Sequence, residues 1–335
     1  MKKIGRTCLF DNPPVIVGSA GVAGKKEGEG PLGTDFDAVY NDTTMGEDSY
    51  ELAESAMLKD AIVRAIDSAN VSAGQIDFLL TGDLLDQCVG SCFAVKDLNI
   101  PFVGMYGACS TMALTLCTGA MLVDSGAEYC IAGASSHFAS SERQFRYPLE
   151  YGSQRPPTAQ WTVTGAGAAV IGKNRQSEIK IKAVHIGTVT DLGIKDANNM
   201  GAAMAPAAYS TLDRYFRATG SRGADYDLIV TGDLGRRGSE LFSALCSEGG
   251  YDISRCRADC GELIYDIEAQ DKHSGGSGCG CSAAVMASYI VPGMRARRYS
   301  NVLFIGTGAL MNPQALMQGE NIVGIAHLVH LRISD

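Results

Sequence analysis

The chain has 335 residues and a formal net charge of −9, with 46% hydrophobic and only 19% charged residues. This composition is too apolar and too weakly charged for a disordered protein. The surplus of acidic side chains argues against a nucleic-acid binder, which needs Lys and Arg to neutralise phosphates. Length and composition therefore predict a globular protein with two domains or one large α/β unit.

The eleven cysteines follow no regular disulfide spacing. The first residues include Lys2, Lys3 and Arg6, but no apolar run of the signal-peptide type follows them. No uninterrupted apolar stretch reaches the roughly 18 residues that a membrane helix needs. We therefore expect reduced thiols, synthesis in the cytoplasm without a signal peptide, and a peripheral position in any membrane role.

The predicted elements repeat along the chain. Residues 76–84 (IDFLLTGDL) are typical of a buried strand that ends in Thr-Gly-Asp, and residues 226–234 (YDLIVTGDL) match them at five of nine positions. The small-residue loop at 107–114 (GACSTMAL) opens an apolar helix. A similar loop and helix start are found at 279–286 (CGCSAAVM).

The recurring order of strand, loop, strand, helix and strand predicts two similar α/β halves. The first half covers residues 1–175 and the second covers residues 176–335, and together they form one compact unit. We place the boundary in the polar stretch 173–178 (KNRQSE), between two apolar segments.

Three local patterns give more detailed predictions. The charged stretch 24–30 (GKKEGEG) lacks the ordered glycines of a phosphate-binding loop, so it is predicted as a surface loop. Asp48 and Glu51 form an N-cap pair for a helix whose apolar residues share one face. Residues 198–206, rich in Gly, Ala and Met, are predicted as a loop.

Four segments resemble loops of the thiolase and ketosynthase superfamily. GACS at 107–110 resembles the nucleophile loop, and VTGAGAAVIG at 163–172 resembles the glycine-rich segment before the halves join. HSGGSGCG at 273–280 resembles the thiolase histidine loop, and FIGTGALMNP at 304–313 resembles the late glycine loop. The resemblance implies a homodimer with a five-layer αβαβα fold, in which small-residue helices, the first at 110–123, lie between two mixed sheets.

Within this superfamily, the opening stretch 16–54 and the repeated TGDL sequence resemble the stage V sporulation protein AD family. The resemblance implies a protein that binds dipicolinic acid (pyridine-2,6-dicarboxylate) and assists its uptake into the developing spore. It also implies partner membrane proteins of the same sporulation channel, which would hold the chain peripherally at the spore or forespore inner membrane. No cofactor is implied.

Cys109 and His273 are the residues that the resemblance places at a nucleophile site. A thiol at the start of a helix is expected to have a lowered pKa, because the positive end of the helix dipole stabilises the thiolate. His273 would accept the thiol proton or donate a hydrogen bond to a ligand carboxylate. The alternative for both residues is a purely structural role in tight loops.

The rest of this site differs from that of active members of the superfamily. Those enzymes place a His or Asn after the strand that corresponds to 228–230, where this chain has Thr-Gly-Asp-Leu-Gly at 231–235. Thiolases use a second cysteine where this chain has Phe304. Loss of one oxyanion donor alone lowers the rate about 10²–10³-fold. Asp233 also brings negative charge to that position, so we expect a binding protein with an incomplete catalytic set.

The predicted ligand-binding residues combine these loop groups with hydroxyls and two arginines. They are Cys109, His273, Ser274, Asp233, Thr307, Arg143 and Arg146. Arginine holds a carboxylate through two parallel hydrogen bonds, which suits the two carboxylates of dipicolinate. For the segment that carries the two arginines, the alternative is a surface or interface loop.

Two other functions remain open. One is an acyl-CoA acyltransferase of thiolase or ketosynthase type that uses Cys109 and His273. The other is a docking subunit for spore membrane channel proteins, with a vestigial pocket. No metal site is predicted, because His327 and His330 would point to opposite faces of a strand.

Overall fold

The structure is a computed structural model that describes residues 1–145, 155–173 and 177–333. The predicted boundary between the two halves, at 175/176, lies outside these described residues.

Helices and strands alternate in both halves. The elements up to residue 173 are β1 (Lys2–Ile4), β2 (Thr7–Leu9), β3 (Val15–Gly24), α1 (Lys25–Gly28), β4 (Ala38–Tyr40), α2 (Tyr50–Ala69), β5 (Phe78–Gly82), α3 (Val89–Val95), β6 (Phe102–Gly104), α4 (Thr111–Ser125), β7 (Tyr129–Ser136), α5 (Phe138–Phe145), β8 (Trp161–Thr162) and β9 (Gly165–Gly172). The elements from residue 177 onward are β10 (Ile179–His185), α6 (Met200–Thr219), β11 (Leu228–Thr231), α7 (Gly235–Glu248), β12 (Arg257–Asp259), α8 (Cys260–Leu263), β13 (Gly276–Ser277), α9 (Cys279–Val285), α10 (Val291–Arg295), β14 (Asn301–Leu310), α11 (Pro313–Met317) and β15 (Val323–Ile333).

The main strands form one mixed sheet in which the two halves repeat the same order. The order is β3-β9-β7-β5-β6 in the first half and β10-β15-β14-β11-β12 in the second. In each half, two antiparallel pairs are followed by two parallel pairs. The halves join where Lys180 pairs with Val15. These observations confirm the predicted fold of two similar α/β halves.

The two halves of the sheet enclose α4, and α9 packs beside it against β7 and β9, which confirms the five-layer αβαβα order. Helix α4 contacts β5, β7 and β9 on one side and β10, β14 and β15 on the other, while α2 and α6 cover the outer faces. Glycines allow this close packing. A Cβ at Gly306 would lie 2.5 Å from the Ala113 Cβ, and one at Gly308 would lie 2.6 Å from the Gly107 carbonyl oxygen. Strand β14 therefore passes directly beside the start of α4.

The segment Ala108–Ser125, which contains α4, is long and apolar enough by composition to cross a membrane. No such run was expected, because Ser, Thr and Gly interrupt its apolar residues, yet its mean hydropathy is 1.2. It is 67% buried inside the protein, between the two halves of the sheet. Its apolar character therefore matches its place in the core.

Helix α2 has the predicted apolar face but a different cap. Leu58 and Ile62 on this face are fully buried in the outer core of the first half. Ser49, rather than Asp48, caps the helix, because its hydroxyl accepts a hydrogen bond from the Leu52 backbone N–H at 3.2 Å. The prediction of Asp48 as the N-cap is therefore wrong.

The stretch 198–206 is not a loop, because helix α6 begins inside it. Asn199 caps this helix by accepting a hydrogen bond from the Ala202 backbone N–H, and alanine is the strongest helix former. Gly201 lies against α7, where a Cβ would be 2.8 Å from the Gly238 Cα. The small residues that suggested a loop therefore serve close packing between two helices.

The stretch 24–30 is not a surface loop either. It contains the short helix α1, in which Glu27 is only 1% exposed. The Glu27 carboxylate accepts hydrogen bonds from the Tyr265 hydroxyl and the Thr164 backbone N–H. Burial raises the pKa of this carboxyl above its ordinary value. A charged residue with internal hydrogen-bond donors can be buried, which its sequence neighbours do not reveal.

Candidate functional site

Cys109 lies immediately before α4, on the floor of a small cavity. The preceding residue, Ala108, has a left-handed φ of 48°, which turns the chain sharply into the helix. The cavity has a volume of about 60 Å³, and its lining includes Cys109, Ser277 and Asn312. Cys109 is 5% exposed, and its Sγ lies 3.9 Å from the Ser277 Oγ. We call this space the Cys109 cavity.

The carboxylate of Asp233 lies behind the thiol in a dense hydrogen-bond network. One carboxylate oxygen accepts hydrogen bonds from the Ser277 hydroxyl at 3.0 Å and the Gly278 backbone N–H at 2.9 Å. The other accepts from the Thr307 hydroxyl at 2.8 Å. Asp233 is fully buried, and its position at the end of β11 brings it to the same edge of the sheet as Thr307 of β14.

This environment favours the thiol form of Cys109. Burial and the neighbouring Asp233 charge raise the pKa of the Cys109 thiol well above its ordinary value. The expectation of a lowered pKa at the start of the helix is therefore wrong. The helix dipole contributes roughly half a charge, which does not offset the burial of the thiol beside Asp233, whose own pKa burial raises.

A second buried carboxylate fixes the loop that carries Asp233. Asp259, at the end of β12, accepts hydrogen bonds from the Thr231 hydroxyl at 2.6 Å and the Leu234 backbone N–H at 2.8 Å. It also accepts one from the Gly235 backbone N–H at 3.0 Å. Burial raises the pKa of Asp259 to about 7. The position of Asp233 therefore depends on a rigid, internally hydrogen-bonded turn.

His273 and Ser274 do not reach the Cys109 cavity. The backbone of His273 has a left-handed φ of 53°, and its Nδ1–H donates to the Pro156 carbonyl at 2.8 Å. Its Nε2 lies 3.2 Å from an Asp271 carboxylate oxygen. The Ser274 hydroxyl accepts a hydrogen bond from the Arg237 backbone N–H. The expectation that His273 converges on Cys109 is therefore wrong, because local hydrogen bonds turn both side chains toward other segments.

The predicted arginine clamp is not assembled at this cavity. Arg143 lies on α5 and forms an ion pair with Glu51, near the start of α2. Its side chain is 49% exposed. Arg146 lies outside the described residues. Of the predicted ligand-binding residues, the structure brings Cys109, Asp233 and Thr307 together.

Neutral hydrogen-bond donors line the cavity instead of cations. Within the described part of the chain, its lining includes Tyr106, Gln144 and Asn312, and the one charged side chain is that of Asp86. Gln144 accepts a hydrogen bond from the Asp86 backbone N–H through Oε1, which leaves its NH₂ group as the donor. Asn312 likewise uses Oδ1 to cap α11. An oxygen-rich ligand can therefore find partners here without an ion pair.

Ser277 is the functional residue that sequence reasoning missed. It lies within the segment that resembles the thiolase histidine loop, four positions after His273. In the structure, Ser277 contacts both the thiol and Asp233, whereas His273 contacts neither of them. The pairing of β13 with β8 sets this orientation. Nothing in the local sequence distinguishes which side chain of the loop faces Cys109.

The equivalent aspartate of the first half forms a different cluster. Asp83 accepts hydrogen bonds from the Leu85 and Ser91 backbone N–H groups at 2.8 and 2.7 Å. The fully buried Glu54 accepts from the hydroxyls of Ser135 and Ser140. Burial and the nearby Asp83 charge raise the pKa of Glu54 to about 8. The cluster therefore holds a protonated carboxyl group at neutral pH.

No cluster of metal-ligating side chains occurs in the described ranges. His327 and His330 lie on β15, which confirms the predicted strand. The Nδ1 of His330 shares a hydrogen bond with the Tyr215 hydroxyl, and the Nδ1 of His327 accepts one from the Gly187 backbone N–H. Each histidine therefore has its own protein partner.

Solved structures of low sequence identity share this fold. A variant of OleA from Xanthomonas campestris superposes on this chain with a TM-score of 0.62 at 13% sequence identity. The match covers 97% of this chain and 99% of OleA. Over 95% of this chain and 99% of the other, 3-oxoacyl-[acyl-carrier-protein] synthase III from Aquifex aeolicus VF5 gives 0.59 at 11% identity. The fold is that of the thiolase-like ketosynthases.

A more specific relationship covers nearly the whole chain. The family model described as Stage V sporulation protein AD (SpoVAD) matches residues 5–332. The stage V sporulation protein AD of Bacillus subtilis (strain 168) is 44% identical over 329 residues, which are 98% of this chain and 97% of that protein. The chain therefore belongs to the stage V sporulation protein AD family, which is a sporulation family.

Replacing Asp233 with Asn is expected to lower the pKa of Cys109, because the change removes the adjacent charge and keeps the side-chain shape. The alkylation of Cys109 by iodoacetamide, followed as a function of pH by peptide mass spectrometry, should be about tenfold faster at neutral pH in Asp233→Asn. Asp83→Asn, the matched change in the other half, should leave it unaltered. Equal alkylation of Cys109 in wild type and Asp233→Asn would contradict this electrostatic account.

The raised pKa of Glu54 predicts that stability falls as pH rises. Between the unfolded value of 4.5 and the folded value of about 8, the folded protein retains a proton that the unfolded chain has lost. The free energy of unfolding should therefore decrease through this window. Glu54→Gln, which stays neutral, should show a smaller decrease in urea denaturation across the same pH range.

The exposed Glu47 offers a matched control on the approach to the same helix. Glu47→Gln should retain the pH dependence of the wild type. If Glu54→Gln also retained it, or if stability increased with pH in this window, the assignment of a protonated Glu54 would be wrong.

Proposed function

We propose that this protein binds dipicolinate, a planar aromatic dianion, and assists its uptake into the developing spore. The proposal rests on membership in the SpoVAD family, since this is the function that the resemblance to that family implies. One structural observation supports binding rather than catalysis. The thiol at the nucleophile position is paired with a buried carboxylate, and acyl transfer needs a thiolate.

The Cys109 cavity limits how such a ligand is held. Its volume of about 60 Å³ admits one carboxylate group but not a substituted ring. The hydroxyl of Tyr106 and the amide groups of Gln144 and Asn312 are the donors that a carboxylate would meet. The ring would then lie at the mouth, against Tyr106, which is 53% exposed. Aromatic stacking contributes about 0.5–1.5 kcal/mol beyond the area buried.

The acyltransferase alternative receives less support from the geometry. His273, the predicted base, donates a hydrogen bond to the Pro156 carbonyl and lies next to Asp271 instead of reaching the thiol. Phe304 is fully buried in β14 and supplies no acid or base. We propose that the retained thiolase-like architecture serves ligand binding, with an incomplete catalytic set around Cys109.

We further propose that the protein acts as a homodimer, peripherally at the spore or forespore inner membrane, through membrane proteins of the same sporulation channel. These proposals come from the family resemblance. Docking to channel proteins is compatible with dipicolinate binding, since one surface can meet a partner while the cavity holds the ligand. A pull-down that survived blocking of the cavity would favour docking as a separate role.

Isothermal calorimetry tests the proposed function directly. Dipicolinate should bind saturably and at least about tenfold more tightly than benzoate, because its second carboxylate adds charge-assisted hydrogen bonds. Cys109→Ala should change the affinity less than about threefold, since a neutral buried thiol supplies no ion pair. Asn312→Ala should weaken binding by a larger factor. If dipicolinate gives no more binding heat than benzoate, the proposed function is wrong.

The same Cys109→Ala protein also tests the alternative activity. With acetoacetyl-CoA and CoA, the wild type should deplete the enolate absorbance no faster than the variant. Depletion that depended on Cys109 would show an active acyl-CoA enzyme instead.

A further inference from the structure

A second cavity lies away from Cys109, between α1, the start of α2, α5 and β8. It has a volume of about 230 Å³, and its lining includes the rings of Tyr50, His137, Phe138 and Trp161 and the charged residues Lys25, Lys26 and Glu27. We call it the aromatic cavity. None of its lining residues lines the Cys109 cavity. Pockets for drug-sized ligands measure roughly 300–1,000 Å³, so this volume suits a ligand with about one ring.

Two aromatic pairs form its walls. The rings of Phe138 and Trp161 stack with a centroid separation of 4.1 Å and an interplanar angle of 14°. The rings of Tyr50 and His137 stack at 5.2 Å and 29°. His137 is neutral, because its two ring nitrogens bond to backbone groups and burial lowers its pKa. The stacked pairs therefore present aromatic carbon to the cavity, and His137 adds no charge to its wall.

Positive charge is concentrated at the Trp161 end. The Lys26 Nζ lies 4.1 Å from the centroid of the Trp161 ring, and the Lys272 Nζ lies 3.5 Å from it. The Arg155 guanidinium carbon is 5.5 Å away. Each contact is a favourable cation–π interaction, but the cations also repel one another. A bound anion would relieve this repulsion.

Among the described residues, the neighbouring cations pair with carboxylates, whereas Lys26 has no carboxylate partner. Arg155 pairs with Asp271, and Lys25 lies 3.9 Å from a Glu29 carboxylate oxygen. No carboxylate of the described residues lies within ion-pair distance of the Lys26 ammonium.

The buried Lys272 adds a second positive group. It is only 3% exposed, and its ammonium also lies 5.1 Å from the centroid of the Tyr265 ring. The Tyr265 hydroxyl donates to Glu27, whose charge attracts Lys272. Glu27 therefore offsets part of the positive charge of Lys272. The positive charge of Lys26 is then available to an external anion.

We propose that the aromatic cavity binds a planar aromatic carboxylate, with the ring packed against the walls and the carboxylate paired with the Lys26 ammonium. This site goes beyond the proposed function, because one carboxylate is enough and no group of the Cys109 cavity takes part. Its ligand class is defined by the combination of aromatic walls and an exposed cation that has no carboxylate partner among the described residues.

Trp161 is the only tryptophan of the chain, so its emission reports on this cavity alone. Titration of the full-length protein with benzoate should produce a saturable change in tryptophan emission. Cyclohexanecarboxylate has the same charge but lacks a planar ring, and it should bind about tenfold more weakly or not at all. Equal responses to the two acids would overturn the requirement for an aromatic ring.

Two exposed lysines, one at the cavity and one away from it, give a matched pair of variants. Lys26→Gln should weaken benzoate binding about tenfold, because a charge-assisted contact is lost. Lys96→Gln removes an exposed charge that also lies over an aromatic ring, that of Phe93, but outside the aromatic cavity, and it should change the affinity less than about threefold. Equal effects of the two substitutions would overturn the assignment, since they would indicate attraction by net charge only.

Parallel calorimetry separates this inference from the proposed function. If dipicolinate binds but no aromatic carboxylate alters Trp161 emission, the aromatic cavity is not a ligand site, and the inference is wrong while the proposed function stands. If benzoate alters the emission in a Lys26-dependent way but dipicolinate gives no heat above that of benzoate, the proposed function is wrong and the inference stands.

Discussion

The hydrogen-bonded carboxylate of Asp233 ties together three segments at the centre of the molecule. It follows β11, accepts from Ser277 and Gly278 at the start of α9, and accepts from Thr307 of β14. Each buried donor left without this partner would cost about 1–3 kcal/mol. The same side chain also helps to raise the pKa of the Cys109 thiol. The architecture and the chemistry of the site therefore depend on one side chain.

The internal repeat shows that one sequence can serve two electrostatic purposes. In the second half, the Asp of TGDL lies beside a cysteine and raises its pKa. In the first half, Asp83 lies beside Glu54 and helps to keep that carboxyl protonated. The two cavities also differ in the charges of the residues that line them. The Cys109 cavity is lined by neutral donors with Asp86, whereas the aromatic cavity carries the exposed charge of Lys26.

Most of the fold can be predicted from the sequence, because apolar runs and small-residue loops recur at matching places in both halves. The sequence gives wrong predictions where the structure around a residue depends on a partner far away in the chain. Residues 198–206 form helix because Asn199 caps them and Gly201 meets α7. Glu27 is buried because Tyr265, 238 positions away, donates to it. For the site, the loop sequence predicts the position of Cys109 and the second TGDL sequence predicts Asp233 near it, but no local pattern encodes the burial that raises the pKa of the thiol.

We propose that Asp233 and burial keep Cys109 as an unreactive thiol in a thiolase-like fold. Intact-protein mass spectrometry after incubation with acetyl-CoA tests this claim most directly, because a competent nucleophile would retain the acetyl group as a thioester. The wild-type protein is expected to keep its unmodified mass, including at mildly alkaline pH. A stoichiometric gain of one acetyl group that maps to Cys109 would contradict it.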